Sequence, residues 1–248
     1  MFSTYREIFA ARGDRYHRAM TLYPHARREE FRLVSQLAEV QNGHVVCDLP
    51  SGGGYLKDFL PATAKILHVE TSEVFAKLCR LNGRSNVFFS ALDRLPFQQG
   101  ALDRVISLAA LHHVADKASM FTECRRVLRP GGMLCIADVW AGSSVADFLD
   151  GFVNDYNTMG HKGAYVDGGT AAQLQEAGFT LRRQSTTSFP WEFDSIGAMT
   201  EFVQLLFGVD RASEADIIHF VEKHVGFWPG RARPALTWEL CLMQAVKG

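Results

Sequence analysis

The sequence predicts a doubly wound α/β protein with a mostly parallel sheet, and three observations support this fold class. From Val45 onward, short apolar runs alternate with amphipathic helical stretches. The first run, residues 45–49, is apolar throughout most of its length and ends at a glycine-rich turn, as buried parallel strands do. The chain has 248 residues, 47% hydrophobic and 21% charged, which is typical of one globular domain carrying an insertion.

Seven strands and several helices follow from the periodicity of apolar residues. The predicted strands are residues 45–49, 65–69, 86–90, 104–108, 133–137, 180–185 and 236–246. Helices are predicted over residues 117–128, 143–156, 170–177, 196–207 and 213–225, and Ser72 is a predicted helix N-cap. Strand–helix alternation implies right-handed crossovers, with helices on both faces of the sheet.

The order of these elements predicts three regions. Residues 1–40 form an N-terminal helical segment that covers the ligand site, and residues 41–140 form the ligand-binding core. Residues 141–248 complete the sheet and carry helical cap insertions at about 143–165 and 191–228. In such sheets, ligands bind beyond the carboxyl ends of the strands.

Charge and cysteine content restrict the class of partner. The net charge is −1 and the pI about 6.8, so no global field attracts nucleic acid or an anionic membrane. Local basic pairs such as Arg27-Arg28 are interpreted as solvated helix faces. The five cysteines are scattered without a CxxC pair, which disfavours zinc and a disulfide framework. These features predict a reduced, cytoplasmic protein whose partner is a small molecule.

Two correctly spaced features indicate an adenosine-containing ligand. The first strand runs into Ser51-Gly52-Gly53-Gly54, where the backbone can pass close to a ligand. A helix is expected directly after these glycines, and its N-terminus would offer free N–H groups to the ligand. Glu70 closes the second strand, 22 residues after Asp48, where a carboxylate accepts hydrogen bonds from both ribose hydroxyls.

The residues around the glycines favour S-adenosylmethionine (SAM) over NAD. A dinucleotide fingerprint needs a third glycine at position 57, where Lys57 stands. Asp48 precedes the glycines, and its carboxylate suits a cationic, amine-bearing ligand better than a pyrophosphate.

Five motifs in order make the chain resemble the class I SAM-dependent methyltransferases, especially the small-molecule enzymes related to ubiquinone/menaquinone biosynthesis. The motifs lie in residues 48–54, at Glu70, and in residues 95–107, 111–114 and 125–132. Together they cover roughly residues 40–140, and Phe9 to Tyr16 resembles the family's N-terminal helix motif. The resemblance implies a Rossmann-like seven-stranded sheet of order 3-2-1-4-5-7-6, with the last strand antiparallel.

The resemblance also implies a role for each part of the cofactor site. The loop around Gly52 and Gly54 would hold the methionine moiety with Tyr16 nearby, and Glu70 would hold the ribose. Residues flanking the adenine would include Leu92 and Asp93, and those beside the sulfonium Leu108 and Ala109. The predicted cofactor set is Tyr16, Asp48, Pro50, Ser51, Gly52, Gly54, Glu70, Thr71, Leu92, Asp93, Leu108 and Ala109.

Two departures from the family pattern concern this site. Pro50 stands where the family usually has its first glycine, which fixes φ and removes an N–H. Ala91 stands where relatives often place an acid for the adenine amine, and we expect Asp93 to substitute for it.

Methyl transfer needs a base only if the acceptor must lose a proton. His112 and His113 follow the fourth strand, beside the expected transfer site, and are the predicted catalytic residues. Asp138, His161 and Tyr165 are lesser candidates, and no metal site is predicted. Aromatic residues of the two caps predict an apolar or aromatic acceptor: Trp140, Phe148, Phe152, Tyr156, Trp191, Phe202, Phe207, Phe227 and Trp228.

Three other functions stay open at this point. An RNA or protein methyltransferase is disfavoured by the neutral charge and by the lack of a recognisable binding module. A SAM-binding protein without methyl transfer, acting as a regulator or in another reaction, is compatible with the departures at Pro50 and Ala91. A nicotinamide dehydrogenase is disfavoured by Lys57. The acceptor, its nucleophilic atom and the oligomeric state are not predicted.

Overall fold

The computed structural model describes residues 5–229 and 232–248, which form one eight-stranded sheet with helices on both faces. The strands are β1 (Val45–Asp48), β2 (Lys65–Glu70), β3 (Val87–Phe89), β4 (Leu102–Leu108), β5 (Leu128–Asp138), β6 (Phe179–Glu192), β7 (Phe227–Trp228) and β8 (Ala235–Lys247).

The helices lie before, between and beyond these strands. They are α1 (Tyr5–Leu22), α2 (Arg28–Ala38), α3 (Glu73–Leu81), α4 (Lys117–Val127), α5 (Ser144–Asp147), α6 (Asn154–Tyr156), α7 (Gly168–Glu176), α8 (Ile196–Phe207) and α9 (Glu214–Phe220). A π-helical segment, Phe148–Val153, joins α5 to α6, and another, Val221–Val225, follows α9.

The sheet confirms the predicted topology. Its order is β3-β2-β1-β4-β5-β8-β6, with β1 to β5 parallel and β8 antiparallel to both of its neighbours. The two-residue β7 pairs with β8 outside this order. The predicted order 3-2-1-4-5-7-6 is therefore correct for the seven long strands, and β8 is the predicted antiparallel seventh strand.

Local signals placed several boundaries correctly. The side chain of Ser72 accepts a hydrogen bond from the N–H of Phe75 and caps α3, as predicted. The helix α8 has the predicted bounds, and Ser195 caps it in the same way. The prediction for β6 was too short, because much of this edge strand carries exposed polar side chains that hide its apolar pattern.

The sheet has a hydrophobic core on each face. One core includes α2 and the helices inserted between β6 and β8, and the other lies under α4 and α7. A third, smaller cluster joins α1 to α3 through Tyr5, Phe9 and Phe75. The first helix is thereby held across the carboxyl edge of the sheet, where the functional side chains meet.

Two further properties bear on the setting of the protein. All five cysteines are buried and free. Within residues 5–229 and 232–248, no helix combines the length and the apolar character that a membrane span requires.

Candidate functional site

The loop after β1 depends on glycine at position 54. Gly52 and Gly54 have φ of +55° and +74°, a region that glycine adopts without a steric penalty. A Cβ on Gly54 would lie 2.7 Å from Cγ of Arg84 and 2.8 Å from Sγ of Cys79. The backbone therefore packs closely against α3 and its following turn, while its other side faces a cavity.

The helix expected directly after the glycines is only a five-residue 3-10 turn, Tyr55–Phe59. The turn ends because Pro61 restricts Leu60 to extended backbone, with φ −107° and ψ 155°. The N-terminus of a long helix, which would supply free N–H groups, is therefore not present here, and this part of the sequence prediction was wrong.

Glu70 organises the loop through four hydrogen bonds. Its Oε1 accepts from the N–H of Gly52 at 2.6 Å and from the hydroxyl of Tyr5 at 2.8 Å. Its Oε2 accepts from the N–H groups of Thr71 and Ser72, each at 3.0 Å. Burial raises the pKa of Glu70 to about 7, although these hydrogen bonds favour the ionised form. The carboxylate therefore ties α1, the glycine loop and the end of β2 together.

Asp48 is a second buried carboxylate at this edge. Its Oδ2 lies 3.3 Å from Nδ1 of His68, which is buried as well, and burial raises the pKa of Asp48. Asp48 lines the cavity beside the loop, and Glu70 lies directly behind Gly52. Of the two carboxylates, Asp48 alone lines the cavity, where it suits a ligand that carries a cationic group and disfavours a pyrophosphate. The predicted ribose acceptor Glu70 is fully buried and does not belong to the lining.

The cavity at this edge, called the cofactor cavity below, contains about 470 Å³ of empty space, part of which is open to solvent. Predicted cofactor residues that line it are Tyr16, Asp48, Pro50, Ser51, Gly52, Leu108 and Ala109. Tyr5, Phe9 and Phe75 add an apolar wall from α1 and α3.

The other predicted cofactor residues lie outside the lining of this cavity. Gly54 and Thr71 adjoin it through the loop and through Glu70. Leu92 is half-buried and Asp93 is exposed, both in the segment after β3. Their contacts with adenine stay a prediction.

A second cavity, called the acceptor cavity below, opens beside the first and contains about 540 Å³ of empty space, part of which is open to solvent. Phe9, Tyr16, Arg27 and Ala109 line both cavities, so the two meet at these residues. Ala109 has φ +49°, a conformation that is uncommon for a residue other than glycine, and such residues are often found at functional sites. Ala109 directly follows β4, so the carboxyl end of this strand lies where the two cavities meet.

The predicted catalytic histidines lie in a short 3-10 turn, Leu111–His113, at the floor of the acceptor cavity. Nδ1 of His112 is 2.7 Å from Oδ1 of Asp138, which is fully buried at the end of β5. Burial raises the pKa of Asp138, but the contact with His112 and hydrogen bonds from the backbone more than offset this, so the net shift is downward. The pKa of His113 is well below its usual value, because of burial and then of the neighbouring His112 and His161.

His161 reaches the same floor from the loop after α6. Its Nδ1 is 3.1 Å from Oδ1 of Asp150, and the hydroxyl of Tyr165 donates to the same oxygen at 2.6 Å. Burial lowers the pKa of His161, against the opposing effect of Asp150. The structure therefore brings His112, His113 and His161 together, although 48 positions separate His113 from His161 in the sequence.

Arg27 is a functional-site residue that the sequence analysis assigned to a solvated face. It is 4% exposed, and its Nε donates to Oε2 of Glu30 at 2.8 Å. Nε1 of Trp191 donates to the same oxygen at 3.1 Å, and the Arg27 guanidinium lies 5.6 Å from the Trp191 ring centroid. Glu30 lies three positions after Arg27, and this spacing could have indicated the ion pair between them. Arg28 is exposed, as predicted.

Only part of the predicted aromatic set reaches the acceptor cavity. Trp191 and Phe207 line it, whereas Phe148, Phe152 and Phe202 belong to the buried core. Among the lining residues that the sequence analysis missed are Arg12 and Trp238. No local motif marks these two, since they lie on α1 and β8 and meet only in the folded chain.

Comparison with known proteins identifies the type of domain. Residues 47–136 match the family model described as a methyltransferase domain. Methyltransferase GfsG of Streptomyces halstedii is 29% identical over 140 residues, which cover 52% of this chain and 50% of that protein. A ubiquinone biosynthesis O-methyltransferase of Xanthomonas oryzae pv. oryzae is 30% identical over 102 residues, covering 38% of this chain and 43% of that protein.

A solved structure shows that the fold is shared over nearly the whole chain. A proposed methyltransferase from Bacillus halodurans C-125 superposes with a TM-score of 0.64 at 20% identity, covering 88% of this chain and 99% of that one. The chain spans about half the length of the curated relatives it matches. The domain match over residues 47–136, these relatives and the shared fold support a class I SAM-dependent methyltransferase.

Proposed function

We propose that this protein transfers the methyl group of SAM to an oxygen, nitrogen or carbon nucleophile of a small aromatic or apolar metabolite. The observation that carries the proposal is the meeting of two cavities at Ala109. One cavity is bordered by buried carboxylates, and the other is lined by aromatic rings and histidines. A donor and an acceptor bound in them would face each other across the end of β4, as in-line transfer requires.

The cofactor cavity fits SAM through its donor and acceptor groups. Asp48 would face the cationic methionine end with Tyr16 nearby, and Glu70 would accept from the ribose hydroxyls. Leu108 and Ala109 would lie beside the sulfonium, and the segment of Leu92 and Asp93 beside the adenine. SAM supplies an activated methyl group, so the protein's task is alignment and the exclusion of water.

The acceptor cavity supports a small aromatic substrate. Its walls include Phe9, Trp191 and Trp238, and the rings of the two tryptophans stack with centroids 4.1 Å apart. Arg12 lines the same cavity, and its buried Nε has no hydrogen-bond partner within the described part of the chain. Arg27 also lines this cavity, but it is paired with Glu30. An apolar cavity with an available guanidinium N–H suits an aromatic acceptor that carries an anionic or strongly accepting group.

His112 or His113 would remove a proton from an acidic acceptor. In the His112–Asp138 pair, the carboxylate accepts from Nδ1, which leaves Nε2 as the basic atom. His113 is the weaker base, because burial holds its pKa well below the usual value. We therefore assign the base to His112, oriented by Asp138, with His113 as the alternative.

Turnover assays with SAM test this proposal. Purified protein is incubated with SAM and a panel of aromatic acids bearing a phenol, an enol or an amine, and methylated product is detected by mass spectrometry. We expect product with at least one probe, and a loss of about 100-fold in turnover for His112→Ala. The exposed-residue variant His219→Ala should turn over normally.

Two results would redirect the assignment. Normal turnover of both His112→Ala and His113→Ala would remove the histidine base. Binding of S-adenosylhomocysteine (SAH) without product across the panel would favour a SAM-binding protein with another role, and salt-sensitive RNA binding in a shift assay would favour an RNA methyltransferase.

A further inference from the structure

Three histidines converge at the floor of the acceptor cavity, and they form the feature from which a further site follows. One ring nitrogen from each of His112, His113 and His161 lies within 4.8 Å of the others, and all three side chains are buried. The two segments are joined by a hydrogen bond from the N–H of Ala164 to the carbonyl oxygen of His112, at 2.7 Å. A backbone hydrogen bond therefore holds the segment of His161 beside that of His112 and His113.

Two of the three rings are oriented by carboxylates. Nδ1 of His112 faces Asp138 at 2.7 Å, and Nδ1 of His161 faces Asp150 at 3.1 Å. When a carboxylate accepts from one imidazole nitrogen, the lone pair of the other nitrogen stays available. This carboxylate–histidine arrangement is the one that orients metal-binding histidines in proteins.

Both carboxylates are themselves held in place. Asp138 accepts from the N–H groups of Ala110 at 2.9 Å and Leu111 at 2.6 Å. Asp150 accepts from the N–H of Gly163 at 3.0 Å as well as from Tyr165. The rings are thus fixed by a second layer of contacts, which is the support that a metal site needs.

His113 completes the group. It is 7% exposed, and its buried Nδ1 has no partner among residues 5–229 and 232–248. Its ring centroid lies 4.1 Å from that of His112 and 5.5 Å from that of His161. Leaving a buried polar atom unpaired costs about 1–3 kcal/mol, so a ligand at this position would remove a penalty.

We propose that His112, His113 and His161 bind one divalent transition-metal cation at the floor of the acceptor cavity. Imidazole suits zinc, cobalt, nickel and iron, and a three-histidine site leaves a coordination position open. Metal–nitrogen bonds of about 2.0–2.1 Å imply nitrogen–nitrogen separations of about 3.4 Å in a tetrahedral site. Shifts of about 1 Å in the three imidazole rings would bring their nitrogen atoms to that separation. The open position faces the cavity and would take an oxygen or nitrogen atom of the acceptor.

This site departs from the sequence-based expectation of no metal, and it stands apart from the methyl-transfer proposal. Metal binding is measured without SAM, so either proposal can fail alone. The site also competes with the base assignment, because a bound cation occupies the lone pair that His112 would use for a proton.

The test is a cobalt(II) titration of untagged, chelator-treated protein, followed by visible absorption and by competition with zinc(II). We expect a saturable band at one equivalent of cobalt, which zinc abolishes. His161→Ala should weaken binding by more than about 100-fold, and Asp150→Asn, which only loosens the ring, by about 10- to 100-fold. The control His219→Ala, at an exposed position on α9, should bind as the wild type does.

Two results would overturn the proposal: no saturable cobalt band in the wild type, or an unchanged affinity in His161→Ala. Circular dichroism and urea unfolding establish that each variant is folded. If His161→Ala does not fold, His161→Gln gives the same comparison, since it keeps most of the side-chain volume but replaces the imidazole.

Discussion

The cofactor cavity and the acceptor cavity share Ala109 but are assembled from different parts of the chain. Predicted cofactor residues that line the first come largely from the ends of β1 and β4, inside the segment matched by the family model. The second draws on α1, β6, α8 and β8, and on the loop of His161. The proposed cofactor site is thus built from short local motifs, and the proposed acceptor site from residues that only the complete fold brings together.

The two cavities also differ in what their walls do for the fold. Asp48 and Glu70 are buried polar groups with specific hydrogen-bond partners, and in the proposed function they recognise the cofactor. Trp191 and Trp238 belong to the hydrophobic core and line the acceptor cavity at the same time. We therefore expect substitutions in the acceptor wall to reduce stability, and substitutions at the cofactor edge to reduce ligand affinity.

The largest effect should follow from removing the acceptor wall. Trp191 is 1% exposed, stacks on Trp238 and donates to Glu30. Trp191→Ala should lower the free energy of unfolding by about 3–5 kcal/mol, measured by urea denaturation. Trp228→Ala is the control, since that ring is 53% exposed, and it should cost about 1 kcal/mol. Equal losses in the two variants would contradict the assignment of Trp191 to the core.

The next largest effect is expected for SAH affinity when Glu70 is substituted. Glu70→Gln replaces one acceptor oxygen by an NH2 group, which can only donate. This group would face the N–H of Gly52 or those of Thr71 and Ser72, and it could not accept from a ribose hydroxyl. SAH affinity, measured by calorimetry, should fall by about 100-fold, or about 2–3 kcal/mol. Glu73→Gln, one turn away and exposed, should change it by less than about twofold. Unchanged affinity in Glu70→Gln would remove Glu70 from the ribose site.

The pH dependence separates Glu70 from the rest of the cofactor edge. The pKa of Glu70 is about 7 in the folded protein, against an ordinary value of 4.5. Between pH 4.5 and pH 7, Glu70 is therefore protonated in the folded state but ionised in the unfolded state. Stability should therefore fall as pH rises through this window, and the fall attributable to Glu70 should be absent in Glu70→Gln. Because the ionised carboxylate accepts from ribose, SAH should bind about tenfold more weakly at pH 6 than at pH 8. Affinity that is equal at both pH values would contradict this account.

The smallest effect is expected at Asp93, where the predicted adenine contact lies on an exposed side chain. Asp93→Asn should weaken SAH binding about two- to fivefold, the effect of one exposed hydrogen bond of about 0.5–1 kcal/mol. Asp194→Asn, at an exposed position near Arg233, serves as the control. No difference between the two variants would show that the substitute for the missing acid at Ala91 lies elsewhere.

The same contrast explains how far the sequence could be interpreted. The strand order, Ser72 as a cap and the positions of Asp48 and Glu70 depend on spacing along one stretch of chain, and periodicity reveals spacing. The helix expected after Gly54 is a short turn instead, because Pro61 restricts Leu60 to extended backbone.

The acceptor side was less accessible to such reasoning. Arg27 was assigned to the surface, because its burial depends on Trp191, far away in the sequence. His161 was a lesser candidate, and its approach to His112 follows from the pairing of Trp140 with Val166, which no local pattern indicates. Contacts between distant segments are set by packing, and they become visible only in the folded chain.

Calorimetric titration of the purified protein with SAH, with NAD as the control ligand, tests the central claim most directly. The two buried carboxylates beside the glycine loop predict micromolar SAH binding, about −8 kcal/mol, and no heat of binding with NAD. Binding of NAD without binding of SAH would contradict the account, because it would place a pyrophosphate beside Asp48 and Glu70.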